Sequence, residues 1–218
     1  MRLVCISDTH SMHRQVPVPD GDILIHAGDC LGVGTLEELE DLDNWFSEQP
    51  HRHKILIAGN HDWCLQDEPE EAEALVRNAI YLRDSGTEIE GLKFWGSPWT
   101  PVFFDWAFNL ARGEAIAERW AQIPADTDVL ITHGPPAGIL DEVIMATQSQ
   151  QMISAKPSES VGCEDLAREL ERLKLKMHIF GHIHESHGQE TRNDCLFVNA
   201  STCTANYKPL NPPIVVDL

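Results

Sequence analysis

Basic residues are scarce: 16 Lys and Arg stand against 35 Asp and Glu, a formal net charge of −19 over 218 residues. So negative a chain repels phosphate polymers and anionic lipid surfaces, which argues against long nucleic acid and membrane as partners. Acidic runs such as DEPEEAEA (67–74) read as solvated helix starts. Long apolar runs are missing too, and none approaches the roughly 20 residues of a membrane span. The N-terminal MRLVCISDTH has one Arg but lacks the apolar stretch of about 7 to 15 residues that marks a secretory signal. No Pro/Gly/Ser-rich linker, internal repeat or low-complexity tract divides the chain. One domain over residues 1–218 is therefore expected, and 42% hydrophobic content suffices for a sizeable core. The six cysteines, at 5, 30, 64, 163, 195 and 203, include no CxxC pair. A chain this long has no need of disulfide staples, so reduced thiols and a cytoplasmic location are expected.

What is abundant is one repeated pattern: a short apolar, β-branched run that ends in side chains able to bind metal. LVCIS leads into Asp8-Thr9-His10, ILIHA into Gly28-Asp29, and KILIA into Gly59-Asn60-His61-Asp62. DVLIT leads into His133-Gly134, and MHIF into Gly181-His182-Ile183-His184. Such runs read as buried strands. Helical periodicity lies between them, in 35–49, 70–80, 113–122 and 163–174. Alternation of strands and helices predicts an α/β fold. The segments 87–99, 186–194, 195–202 and 212–218 read as further strands, enough for a second sheet. Ligands of open α/β sheets lie beyond the carboxyl ends of the strands, where all these polar turns fall.

Asp8, His10, Asp29, Asn60, His133, His182 and His184 offer carboxylate, amide oxygen and imidazole, without thiolate. That set suits Mn, Fe, Ni or Zn, and it is too large for one ion and right for two. Residues i and i+2 of an extended segment point the same way, so Asp8 with His10, and His182 with His184, can share a cluster. Two-metal sites acidify a water and clamp the oxygens of an in-line phosphoryl displacement.

The ordered blocks D-x-H, GD, GNHD, HG and GHxH resemble those of the calcineurin-like metallophosphoesterase superfamily. ISDTHS, DILIHAGD, THGPP, GHIHE, NASTC and the NPPIVVDL ending are similar to its metallophosphoesterase-domain-containing subgroup, which is akin to class III cyclic-nucleotide phosphodiesterases. The resemblance implies a four-layer α-β-β-α sandwich, two mixed sheets flanked by helices. It implies that Asp8, His10 and His184 hold one metal, that Asn60, His133 and His182 hold a second, and that Asp29 bridges them. It implies that His61 protonates the leaving oxygen, a role an imidazole can fill near neutral pH. The expected function is hydrolysis of a small phosphodiester, cyclic nucleotides being one such class, by a metal-bridging hydroxide, with two ions of the Mn type. A phosphomonoesterase and a non-catalytic metal-binding scaffold are the alternatives. GDCLGVG lacks the Asp-Arg pair of the protein phosphatases' GDxxDRG block, which weakens that assignment.

Other residues read less sharply. His26 reads as a core histidine, the alternative being a partner for a ligand. His178, His187, His13, His51 and His53 read as structural or surface groups, and Cys30 as a small buried hydrophobe. Asp62 either orients a neighbour of the ligands or caps a helix. The aromatic segment FWGSPWTPVFFDWAFN reads as anchoring a loop on the core, with nucleobase stacking as the alternative. Segment 137–161 is a lid, part of the substrate wall, or a surface loop.

Overall fold

The structure, a computed structural model, describes residues 1–144 and 158–218. In chain order the first strands are β1 (Arg2–Ile6), β2 (Ile23–Ala27), β3 (His53–Ile57) and β4 (Ile80–Tyr81). Then follow β5 (Ser85–Ile89), β6 (Leu92–Ser97), β7 (Thr100–Pro101), β8 (Asn109–Leu110), β9 (Val129–Thr132), β10 (Glu142–Ile144) and β11 (Ser158–Ser160). The last are β12 (Met177–Phe180), β13 (Gly188–Arg192), β14 (Cys195–Asn199) and β15 (Ile214–Asp217). The helices are α1 (Leu36–Glu48), α2 (Trp63–Asp67), α3 (Pro69–Leu75), α4 (Glu114–Trp120) and α5 (Glu164–Leu170).

One sheet runs β15-β1-β2-β3-β4 and the other β13-β14-β12-β9-β6-β5. β1 to β4 are parallel, and β15 lies antiparallel along β1. In the second sheet β6, β9, β12 and β14 are parallel, with β5 and β13 antiparallel at the edges. The facing sides of the two sheets make one core: Leu3, Ile25 and Ile55 from the first meet Val129, Ile179 and Val198 from the second. The outer side of the first sheet, with Val4, Leu24 and Leu56, is covered by Leu39 and Phe46 of α1 and by Ala72 of α3. The outer side of the second, with Leu130 and Phe180, is covered by Ile116 and Trp120 of α4 and Leu166 of α5. This is the expected four-layer α-β-β-α sandwich. Every residue of β2, β9 and β12 is buried, which is why these strands are runs of apolar residues rather than alternations.

α1 starts with a capping box: Thr35 Oγ1 accepts the Glu38 N–H at 3.2 Å, and the Glu38 carboxylate accepts the Thr35 N–H at 3.1 Å. The same carboxylate also accepts N–H groups of Gly32, Val33 and Gly34, fixing the loop that follows β2. The helix expected over 70–80 stops at Leu75. The buried Asp43 carboxylate accepts the N–H groups of Arg77 and Asn78 at 2.9 and 2.8 Å, which turns the chain into β4. Of segment 137–161, β10 and β11 pair antiparallel and Glu142 is tied to Ser186 by two hydrogen bonds, whereas 145–157 lie outside the described residues. No helix among the described residues is long and apolar enough to cross a membrane.

Candidate metal centre

Because β1, β2 and β3 are parallel neighbours, the turns that follow them bring Asp8, Asp29 and Asn60 side by side. β9 and β12 are parallel neighbours too, so His133 and the 182–184 turn emerge together. The sheets are tied at this end. His133 Nδ1 donates to the Ala27 carbonyl across the core at 3.0 Å, and the His182 N–H donates to both oxygens of Asp8 at 3.0 Å. Packing is tight: a Cβ on Gly28 would lie 2.6 Å from His133 Nδ1, and one on Gly181 would collide with the Asp8 carboxylate.

The turns are not extended, contrary to the sequence-based reasoning. Asp8, His10, Asp29 and His182 have φ values of 53, 42, 50 and 68°, left-handed conformations that non-glycine residues rarely adopt. Each such residue costs on the order of 1–3 kcal/mol and persists where surrounding bonds enforce it, commonly at functional sites. Here the Asp8 N–H is held by the Gly28 carbonyl and the His10 N–H by the Asp29 carbonyl, at 2.9 and 3.1 Å. His182 and His184 diverge, because a 3-10 turn begins at His184.

The side chains gather into overlapping groups whose ligand atoms lie within 4.8 Å of one another: Asp8, His10 and His184; Asp29, His133 and His182; and His10, Asp29 and His61. Asn60 joins the second through its Oδ1, 3.0 Å from His133 Nε2. The sequence-predicted ligands are thus brought together: Asp8, His10 and His184 on one side, Asp29, His133, His182 and Asn60 on the other, with Asp29 reaching the first side through His10 in the group that also holds His61. Asp29 Oδ1 lies 3.2 Å from His133 Nε2, and its Oδ2 lies 4.0 Å from His10 Nε2.

These residues fit metal ions. The Nδ1 atoms of His133 and His184 donate to the carbonyls of Ala27 and Thr204, so the lone pair of each ring lies on Nε2. His133 Nε2 then faces the oxygens of Asn60 and Asp29, while His184 Nε2 lies 3.4 Å from both His10 Nε2 and Asp8 Oδ1. Lone pairs converging at such distances require cations or protons between them. Without metal the protons do this. Burial opposes charge on Asp8, but His184 holds its carboxyl well below the usual range. Burial likewise opposes charge on Asp29, which His133 holds down more strongly. His133, disfavoured as a cation by burial, is pushed up to about 9 by Asp29. Burial keeps His182 down at about 4.

The supporting residues are equally organised. Asp62 makes no cap on α2; its buried carboxylate accepts N–H groups from Gly59 and Leu31 at 2.7 and 2.9 Å, joining the turns that carry Asn60 and Asp29. Burial, then the charge of Asp29, raises its carboxyl to about 7. His26 and His178 form matched relays. His26 Nε2 donates to Thr9 Oγ1 at 2.8 Å, and that hydroxyl donates to the Cys30 carbonyl. His178 Nε2 donates to Thr132 Oγ1 at 2.9 Å, and that hydroxyl donates to the Gly134 carbonyl at 2.8 Å. Both rings are fully buried, and burial pushes each down to about 3, so both are neutral. His187 donates to the Pro212 carbonyl, His13 is buried beside Asp41, and Cys30 is buried, all as expected.

His61 donates through Nδ1 to the Gly32 carbonyl at 3.1 Å, and its own N–H donates to Asp29 at 2.8 Å. Its ring faces a cavity of about 190 Å³ that Asp29, His182, Trp106, Tyr207 and Phe103 also line. Tyr207, which sequence reading missed, lies 4.9 Å from the His10 ring and 5.2 Å from the His184 ring. The aromatic segment divides. Trp99 and Phe108 pack as anchors, 5.5 Å apart, but Phe103 and Phe104 are 61% and 76% exposed, and Trp106 lies 4.2 Å from the His61 ring. The loop tip points outward because Asn109 holds the Phe103 and Phe104 carbonyls beneath it.

The calcineurin-like phosphoesterase family profile matches residues 1–186. The whole chain is 41% identical to human metallophosphoesterase domain-containing protein 1, covering 71% of that protein. It is 37% identical to the UPF0046 protein C25E10.12 of Caenorhabditis elegans, again over the whole chain and 81% of the relative. Among solved structures, phosphopantetheinyl hydrolase from Mycobacterium tuberculosis superimposes with a TM-score of 0.61 at 17% identity, covering 97% of this chain and 95% of the other. TT1561 of Thermus thermophilus superimposes with a TM-score of 0.58 at 11% identity, covering 91% and 88%.

Proposed function

The chain belongs to the calcineurin-like phosphoesterase family, and from that premise we propose that it is a two-metal phosphodiesterase acting on small diesters. Asp8, His10 and His184 would hold one divalent ion, and Asn60, His133 and His182 a second, with Asp29 shared. Bound there, such ions supply positive charge against the phosphoryl oxygens and make an attacking water more acidic. The observation that carries this reading is Asp29, whose carboxylate belongs to two ligand groups at once.

The chain's own residues supply the rest. Asp8 and Asp29 are held as carboxylates by the histidines around them, so their charge is ready to offset that of two ions. The Nδ1–H of His61 is committed to the Gly32 carbonyl, which leaves Nε2 as the atom that hands a proton to the leaving oxygen. Trp106, against the ring, fixes its plane. Room supports a diester over a monoester: at His182 and Phe103 the site adjoins a second cavity of about 640 Å³. The acidic surface supports a small substrate over a nucleic-acid polymer.

Metal-stripped protein reloaded with Mn is to be assayed on bis-p-nitrophenyl phosphate, p-nitrophenyl phosphate and a set of cyclic nucleotides, with Asp29→Ala as control. Diester turnover that vanishes in the control is expected. Preference for the monoester sinks the diesterase assignment, and no turnover with two ions bound favours a non-catalytic scaffold.

A further inference from the structure

The 640 Å³ cavity is of ligand-binding size and is unused by the chemistry above. Its wall is formed by Val102, Phe103, Pro135, Val143, Val161 and Ile183. Val102 and Phe103 leave 58% and 61% of their surface exposed at its mouth, a cluster of apolar surface that calls for a ligand. It meets the candidate metal centre at His182, while His61 lies only in the smaller cavity.

Charge in the lining is already spent. Arg112, the only Lys or Arg there among the described residues, donates to the carbonyls of Gly162 and Val161 at 2.8 Å and pairs with Glu164. Glu159 and Glu164 add negative charge. Among the described residues a second phosphate or carboxylate would find no free cation, which favours an occupant that is uncharged and largely apolar. Its place on the substrate follows from His61. The leaving oxygen must be near the His61 ring, so the group in the far cavity is the one that stays on phosphorus.

We infer that this cavity is the subsite for the retained ester group of the substrate, and that this group is uncharged, apolar and at least the size of an aromatic ring. The product is then a phosphomonoester of an apolar alcohol or phenol. This inference rests on the phosphoesterase reading and adds the substrate class.

The test varies only the retained group, in methyl, phenyl and 1-naphthyl p-nitrophenyl phosphates on Mn-loaded protein. kcat/KM is expected to rise by at least about tenfold from methyl to naphthyl, the scale on which apolar pockets discriminate. Phe103→Ala, at a side chain too exposed to burden the fold, and Val143→Asp should each bring the naphthyl-to-methyl ratio towards one. Calorimetry with dimethylphosphinate and methyl(1-naphthylmethyl)phosphinate, whose two P–C bonds leave no ester to cleave, reads binding without turnover. Tighter naphthyl binding, weakened by Val143→Asp, supports the subsite even if no diester is cleaved, in which case the catalytic reading fails alone. Equal kcat/KM across the diesters together with equal affinity for the two phosphinates overturns the subsite and leaves the phosphodiesterase reading intact.

Discussion

The two sheets contribute to the same site with different chemistry. The first brings both carboxylates, the amide of Asn60 and the rings of His10 and His61 from the ends of β1, β2 and β3; the second brings only imidazoles, from the ends of β9 and β12. Each is held in place by the other. Asp8, on the first sheet, accepts the His182 N–H and the Ser201 hydroxyl from the second, while His133, on the second, is oriented by the Ala27 carbonyl of the first. The scaffolding beneath is the same on both sides, a buried histidine holding a threonine that holds a carbonyl. Anionic groups gathered on one sheet would repel one another; facing them with imidazoles balances them, and makes the site a property of the packed pair.

The largest break in this comparison is Asp29→Asn. Because Asp29 belongs to two of the three ligand-type groups, on the proposed two-metal reading the variant should lose metal stoichiometry and diester turnover together, beyond the roughly 10- to 100-fold typical of residues behind the ligands. Two ions retained per chain by elemental analysis, with near-normal turnover, would refute its shared position. His184→Asn, which touches one group only, should cost one ion rather than two.

Next come the relays. His26→Phe and His178→Phe should each lower metal affinity or turnover by about 10- to 100-fold, with His→Gln, which keeps a donor, recovering part of it. Similar losses on the two sides would mean the sheets are scaffolded alike; a loss on one side alone would identify the sheet that sets the geometry.

Stability should respond to the same two rings. A neutral buried His with its folded value near 3 binds fewer protons than in the unfolded chain, where it titrates near 6.5. Stability therefore rises with pH between about 3 and 6.5, and is lost as pH falls through that window, by up to about 1.4 kcal/mol per pH unit for each ring. Urea unfolding of metal-free protein from pH 4 to 7 should show a shallower slope in the His26→Gln/His178→Gln double variant than in the parent.

Much of this was legible in the sequence, for local reasons. An apolar run that stops at a ligand-type side chain marks both a strand and its carboxyl end, and parallel pairing carries those ends to one place. What stayed hidden depends on distant partners. The shortened α3 reflects Asp43 capturing Arg77 and Asn78 from another helix. Asp62 can be an N-cap or a loop tie, and only the approach of Leu31 decides. Tyr207 reaches the site because the chain after β14 folds back over His184, which no spacing encodes. The aromatic segment mixes anchors with exposed rings at identical composition, and Asn109, by holding the loop, separates them.

The grip on Asp8 has a consequence for how the protein comes into being. Its carboxylate is oriented by partners 174 and 193 residues further along, and β1 itself is flanked by β15. During synthesis the first strands emerge with an acidic turn that nothing yet holds. Contacts so distant in sequence form late. A nascent chain therefore exposes its aspartates as ordinary flexible carboxylates, unable to grip an ion strongly. On the proposed two-metal reading, tight ion binding would therefore report a chain whose second half, with His182 and Ser201, has already folded onto its first.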